Sequence, residues 1–305
     1  MGGAADMRLL QIWSVVAALG GLWTQPGLAQ SRFGAQGAEA APDRRQVWSV
    51  PTPASGTVAR AILYRPPGEG PFPLAVIAHA STQNPLRRAQ MAQPDYRALA
   101  GWLVTRGYAV LVPERPGHGG TGGRYLEDQG GCDDANYLNA GRATAQSIAL
   151  AMDYLRSQDF IRQGGTLIVG HSAGGLGALA LAGQNLLGVT AIVAFAPGRG
   201  GHAHDRPNQI CAPQALVATA GEFGRQAHVP VVWLVTRNDS YFAPEFSRQM
   251  AEAFRGAGGK VDFRVLPEFR GEGHFLADSD GGDEIYGATL DSALKAFTAR
   301  PARKR

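Results

Sequence analysis

The stretch from Thr166 to Gly175, Thr-Leu-Ile-Val-Gly-His-Ser-Ala-Gly-Gly, constrains this chain more than any other. An apolar β-branched run ends on a glycine, Ser172 follows one residue later, and small residues then open a helical stretch. A strand that turns this sharply into a helix needs glycine on both sides of the serine, because the backbones pack closely and the serine is held in a strained conformation. The turn lifts the hydroxyl above the sheet and aims the positive end of the helix dipole at it. The chain has 41 glycines, so a bare G-x-S-x-G would arise by chance with a probability on the order of 0.2. The strand before it and the helix after it supply the context that makes the motif specific.

The surrounding sequence fits such a strand. Short apolar runs at Val47–Val50, Thr57–Tyr64, Leu74–His79, Tyr108–Pro113, Thr166–Gly170, Val189–Phe195, Val231–Thr236 and Val261–Leu266 predict eight strands. Helical spacing predicts helices over Asp95–Arg106, Asn136–Arg156, Ala173–Leu187, Pro244–Arg255 and Glu284–Thr298. Strands alternating with helices give an α/β class, a mostly parallel eight-stranded sheet with helices on both faces. No helix separates the first two strands, so they should pair antiparallel at the sheet edge.

A serine hydroxyl is a weak nucleophile at neutral pH and needs a base, and the base needs a partner that fixes its tautomer. Asp239 follows the seventh strand and His274 the eighth, both in loops at the carboxyl ends of strands, where a doubly wound sheet binds ligands. Ser172, Asp239 and His274 are therefore the expected nucleophile, orienting acid and base. Asp205, after the sixth strand, stands as an alternative acid. His202 and His204 form an H-x-H pair without a third ligand at metal-binding spacing, so no metal is expected there. An acyl-transfer intermediate carries an oxyanion, and its expected donors are the N–H groups of Ala173 and Ser81. Gly117 to Gly122 satisfies G-x-G-x-x-G after a strand. No helix opens at Gly122 and no acidic residue follows at ribose-binding distance, so a dinucleotide is not expected and His118 reads as structural.

On these residues, Val47 to Phe297 resembles the α/β-hydrolase superfamily, within it the dienelactone-hydrolase-like and esterase or acyl-peptidase branches. The matching positions are His79-Ala80-Ser81, Arg115-Pro-Gly-His-Gly119, Gly170 to Gly174, Asp239 and His274. The resemblance implies cofactor-free hydrolysis of an ester, lactone or amide through an acyl-enzyme. Ala80 stands where glycine is usual, and a serine stands where the dienelactone hydrolases themselves carry cysteine. A small-molecule carboxylic ester is the leading substrate class. A peptidase or amidase using the same residues, and a catalytically inactive binding protein on the same fold, are the alternatives.

Residues 1–29 read as a secretory leader: Arg8 precedes the apolar run Leu9–Leu22, and Gly27-Leu28-Ala29 ends it with small residues. Gly20, Gly21 and Pro26 interrupt the run too early for a membrane span. Residues 30–43 are expected to be a flexible mature N-terminus, 44–299 one domain, and 300–305 a basic tail. This places the protein in the periplasm or outside the cell. The formal charge of +4 is concentrated at that tail, with no basic patch interleaved with aromatics, so nucleic acid is not an expected partner. Oligomeric state is not legible. Cys132 and Cys211 are the only cysteines, and in an exported chain they are expected to pair, two unpaired thiols being the alternative.

Overall fold

A computed structural model of the chain describes residues 1–2, 32–184 and 186–298. The leader and the basic tail lie outside the described residues. The described residues from Arg32 onward form one compact unit.

Among the described residues nine strands build one sheet: β1 (Gly34–Ala35), β2 (Gln46–Pro51), β3 (Val58–Tyr64), β4 (Leu74–Ala78), β5 (Ala109–Pro113), β6 (Thr166–His171), β7 (Val189–Phe195), β8 (Val231–Thr236) and β9 (Val261–Leu266). Their order is β1-β2-β3-β5-β4-β6-β7-β8-β9. From β5 to β9 all neighbours are parallel, and β1, β2 and β3 join antiparallel, β3 against β5. Eight strands match the eight sequence runs. The ninth, β1, corrects the expectation of a flexible segment over 30–43. Gly34 and Ala35 pair with Ser49 and Trp48, and the Arg32 guanidinium donates to the Gly56 carbonyl at 2.8 Å.

The helices are α1 (Pro85–Ala89), α2 (Arg97–Val104), α3 (Tyr137–Arg156), α4 (Ala173–Leu181), α5 (Pro213–Gln226), α6 (Pro244–Gly256) and α7 (Asp283–Thr298). The inner strands are buried on both faces, as parallel strands covered by helices must be. Alternate residues separate the two layers. Leu74, Val76 and Ala78 of β4 face the core that α3, α4, α5 and α6 close, while Ala75 and Ile77 face the core under α2 and α7. The expected helix Ala173–Leu187 stops at Leu181, and the turn that follows brings Gly183 so close to Gln226 that an added Cβ would stand 2.7 Å from its side chain. At the outer edge, Asp262 and Arg264 of β9 pair with each other at 2.7 Å, putting charge where bare strand edges invite further pairing. Among the described residues no helix is long and apolar enough to cross a membrane.

Candidate active site

The carboxyl ends of β4, β6, β7, β8 and β9 surround a cavity of about 570 Å³. Ser172 stands at its base between β6 and α4, with φ 54° and ψ −118°, a backbone conformation costly for any residue but glycine. The two glycines explain how the strain is held. A Cβ at Gly170 would lie 2.5 Å from the Gly174 oxygen, and one at Gly174 would collide with the Ala78 carbonyl. Ser172 is also tied at both backbone groups: its N–H donates to Phe195 at 2.9 Å and its carbonyl accepts from Gly198 at 3.0 Å.

His274 and Asp239 meet although 35 residues separate them. The His274 Nδ1–H donates to Asp239 Oδ2 at 3.0 Å, and the other carboxylate oxygen accepts from the Tyr241 and Phe242 N–H groups at 2.9 and 2.8 Å. The carboxylate is thus spent on fixing one imidazole tautomer, which leaves Nε2 as the acceptor. Glu272 holds the His274 backbone, accepting its N–H at 2.9 Å, and also takes the Ser240 hydroxyl. The imidazole is one layer of a ring stack: Tyr241 lies 4.2 Å from it, and His202 lies 3.6 Å from the opposite face of Tyr241. His202 therefore serves as a wall, bonded to Ser240 at 2.8 Å. Asp205, the alternative acid, is 82% exposed at its side chain and pairs with Arg87 at 3.4 Å. Among the described residues no group of three or more His, Cys, Asp and Glu could hold a metal ion.

Ala173 and Ser81 both line the cavity. The loop carrying Ser81 is fixed by buried polar groups. His79 donates from Nδ1 to the Ala80 carbonyl at 2.6 Å and accepts the Arg115 N–H at Nε2. The Arg115 guanidinium donates to the His79 carbonyl at 2.7 Å and to Glu127 at 2.5 Å, and Glu127 also binds Arg199. Two guanidiniums hold the Glu127 carboxyl far below the ordinary carboxylate range, overcoming the upward push of its burial. His118, in the segment read as structural, accepts at Nε2 from the Ser81 hydroxyl at 2.7 Å, and desolvation takes its pKa down to about 4. Cys132 and Cys211 are joined, Cα atoms 4.6 Å apart, and tie the loop after β5 to the loop after β7.

Residues 94–197 match the prolyl oligopeptidase family, a span that contains Ser172 and the Arg115 loop. An esterase from Pyrococcus furiosus superposes with a TM-score of 0.57 over 87% of this chain and 98% of its own, at 12% identity. A cold-adapted esterase from an Arctic intertidal metagenomic library gives 0.56 over 87% and 99%, at 14% identity. The chain has the α/β-hydrolase fold. Est1E from Butyrivibrio proteoclasticus, solved with ferulic acid bound, is similar to this chain at a TM-score of 0.54 over 82% of this chain and 97% of its own, at 17% identity. No curated protein matches the chain.

The sequence did not disclose Glu272, Tyr241 or the Arg115–Glu127–Arg199 network. Glu272 carried a readable signal, an acceptor side chain two residues before His274 at the start of a helical turn. The network had none, because Glu127 is 72 residues from Arg199 and only the fold brings them together.

Proposed function

We propose that this protein is a serine esterase in which Ser172 attacks a carboxylic ester, with His274 as base and Asp239 orienting it. The observation that carries the reading is the fixed His274–Asp239 pair opening on the cavity that holds the strained Ser172. His274 Nε2 takes the Ser172 proton as Oγ bonds to the carbonyl carbon. The Ser81 and Ala173 N–H groups receive the oxyanion. Collapse breaks the ester C–O bond, the proton passes from His274 to the departing alkoxide, and an acyl-Ser172 remains. Water then repeats the cycle and releases the acid.

The match to the prolyl oligopeptidase family supports a second reading, an amidase acting through the same residues. The structural neighbours described as esterases, each spanned almost completely, favour esters. Rates on aryl esters of rising acyl length, set beside aminoacyl anilides, test the choice. Turnover of anilides without esters would replace the ester reading with the amidase, and a Ser172 that a fluorophosphonate fails to label would end both. Export is proposed on the leader pattern and on a disulfide, which forms in oxidising compartments. Sequencing the mature protein should then find Gln30 first, and a retained Met1 would refute cleavage after Ala29.

A further inference from the structure

The elbow, the oxyanion loop and the base segment are joined by a single file of hydrogen bonds that runs behind the cavity through the buried Tyr96. The Ala80 N–H donates to the Tyr96 hydroxyl oxygen at 3.0 Å, and that hydroxyl meets His171 Nδ1 at 2.9 Å. His171 Nε2 lies 2.8 Å from the His274 carbonyl oxygen. The directions follow from chemistry. A carbonyl can only accept, so His171 carries its proton on Nε2. A neutral imidazole then leaves Nδ1 as an acceptor, so Tyr96 donates there and receives from Ala80. Burial, reinforced by the neighbouring His274, keeps His171 neutral, with a pKa lowered to about 3.

Tyr96 holds its place in the file from the left-handed conformation, φ 51°, a position rarely filled by an aromatic residue. Both rings are buried, Tyr96 3% and His171 1% exposed, and they meet edge to face with centroids 5.9 Å apart.

We propose that Tyr96 and His171 are positioning residues that fix the oxyanion loop relative to the His274 segment, an inference that rests on the Ser172 esterase reading. Ser81 and His274 are brought by strands far apart in sequence, and each must reach the same tetrahedral centre within a few tenths of an ångström. The file spans that gap and passes through His171, the residue bonded to the nucleophile. If either link is removed, the donor and the base can drift apart while substrate still binds. The cost therefore falls on kcat rather than on KM.

Tyr96→Phe keeps the buried ring and deletes only the hydroxyl. With active sites counted by fluorophosphonate titration, kcat should fall about ten- to a hundredfold and KM stay within about twofold. His171→Leu should do the same, and the Tyr96→Phe, His171→Leu double variant should lose no more than the worse single one, since both break one file. His171→Gln offers both a donor and an acceptor and should recover most of what Leu loses. A Tyr96→Phe enzyme with wild-type kcat per titrated site would overturn the proposal, as would fully additive losses or no recovery with Gln. Should Tyr96→Phe fail to fold, the Leu and Gln comparison decides. Failure of the esterase reading is a separate result, seen as wild-type protein that neither labels at Ser172 nor turns over esters.

Discussion

Beneath the cavity, Glu127 sits between Arg115 and Arg199 with all three side chains 1% exposed, whereas Arg87 and Asp205 face each other across open solvent, 67% and 82% exposed. Both are ion pairs, and they do different work. In the buried cluster each charge has lost its water and depends on its partners, so geometry is enforced. At the exposed pair water and salt screen the attraction, so it holds little in place. The buried cluster fixes the loop that bears Ser81, while the rim, which bears Arg87 and Phe275, 44% exposed, stays open to solvent. Under the proposed esterase reading, a rigid floor beneath an open rim would separate chemistry from substrate choice.

The largest effects should follow from changes at the floor that touch the reacting atoms. Ser172→Ala should lower kcat by roughly four or more orders of magnitude, and Asp239→Asn by on the order of 10³ to 10⁴, because the amide would stabilise the wrong imidazole tautomer. Steady-state rates on folded variants check this. Near-normal turnover by the Asp239→Asn enzyme would move the orienting role elsewhere.

Next comes the clamp itself. Glu127→Gln leaves two buried guanidiniums facing each other without a counter-charge, and breaking a buried pair in this way costs about 3 to 5 kcal/mol. Urea unfolding should show a loss of that size in the free energy of unfolding at pH 7. A loss below about 1 kcal/mol would mean that the buried cluster is no stiffer than the exposed pair.

Much of the floor was legible in sequence, because local rules write it. The elbow needs Gly170 and Gly174 against Ser172, the parallel strands need unbroken apolar runs, and Asp239 and His274 fall in loops after predicted strands. What the sequence could not show depends on long-range closure. Helix α5 has a weak pattern, with Gly221 and Gly224 in its interior, and Gly224 is explained only by the Phe254 backbone packed against it. β1 is two residues long, and its pairing with β2 is a tertiary fact. The alternative acid Asp205 stayed open in sequence because its loop also ends at the cavity, and only exposure and partner separate it from Asp239.

The floor should also yield to acid before it yields to salt. His79, His118 and His171 are buried and neutral, with desolvation the leading cause of each lowered pKa: well below normal for the first, about 4 and about 3 for the others. A histidine whose folded pKa lies below its unfolded value contributes stability above the unfolded pKa. That stability is lost as pH falls from about 6.5 toward the folded value, at up to roughly 1.4 kcal/mol per pH unit for each group. Asp278, its carboxyl pushed up to about 6 by burial and by Asp95, opposes this as a single group over pH 6 to 3.8. Unfolding free energy should therefore decline from pH 6.5 to 4, and a flat profile would show that these histidines are not held neutral by the fold.

The smallest effect belongs to the rim. Arg87 and Asp205 are bridged at 3.4 Å, at the long end for a charged hydrogen bond, and both side chains are mostly in water. Coulomb attraction there is offset by the entropy of holding two long side chains, and exposed pairs of this kind couple by about 0.2 to 1 kcal/mol. A double-mutant cycle with Arg87→Ala and Asp205→Asn should return a coupling inside that range, shrinking further as salt is raised. Catalysis on a small acetate ester should stay within about twofold of wild type, since neither group touches the His274–Asp239 pair. Larger substrates that reach Arg87 should show their change in KM. If Asp205→Asn instead cut kcat a hundredfold on the small ester, Asp205 would be acting on His274 and the division between fixed floor and permissive rim would fail.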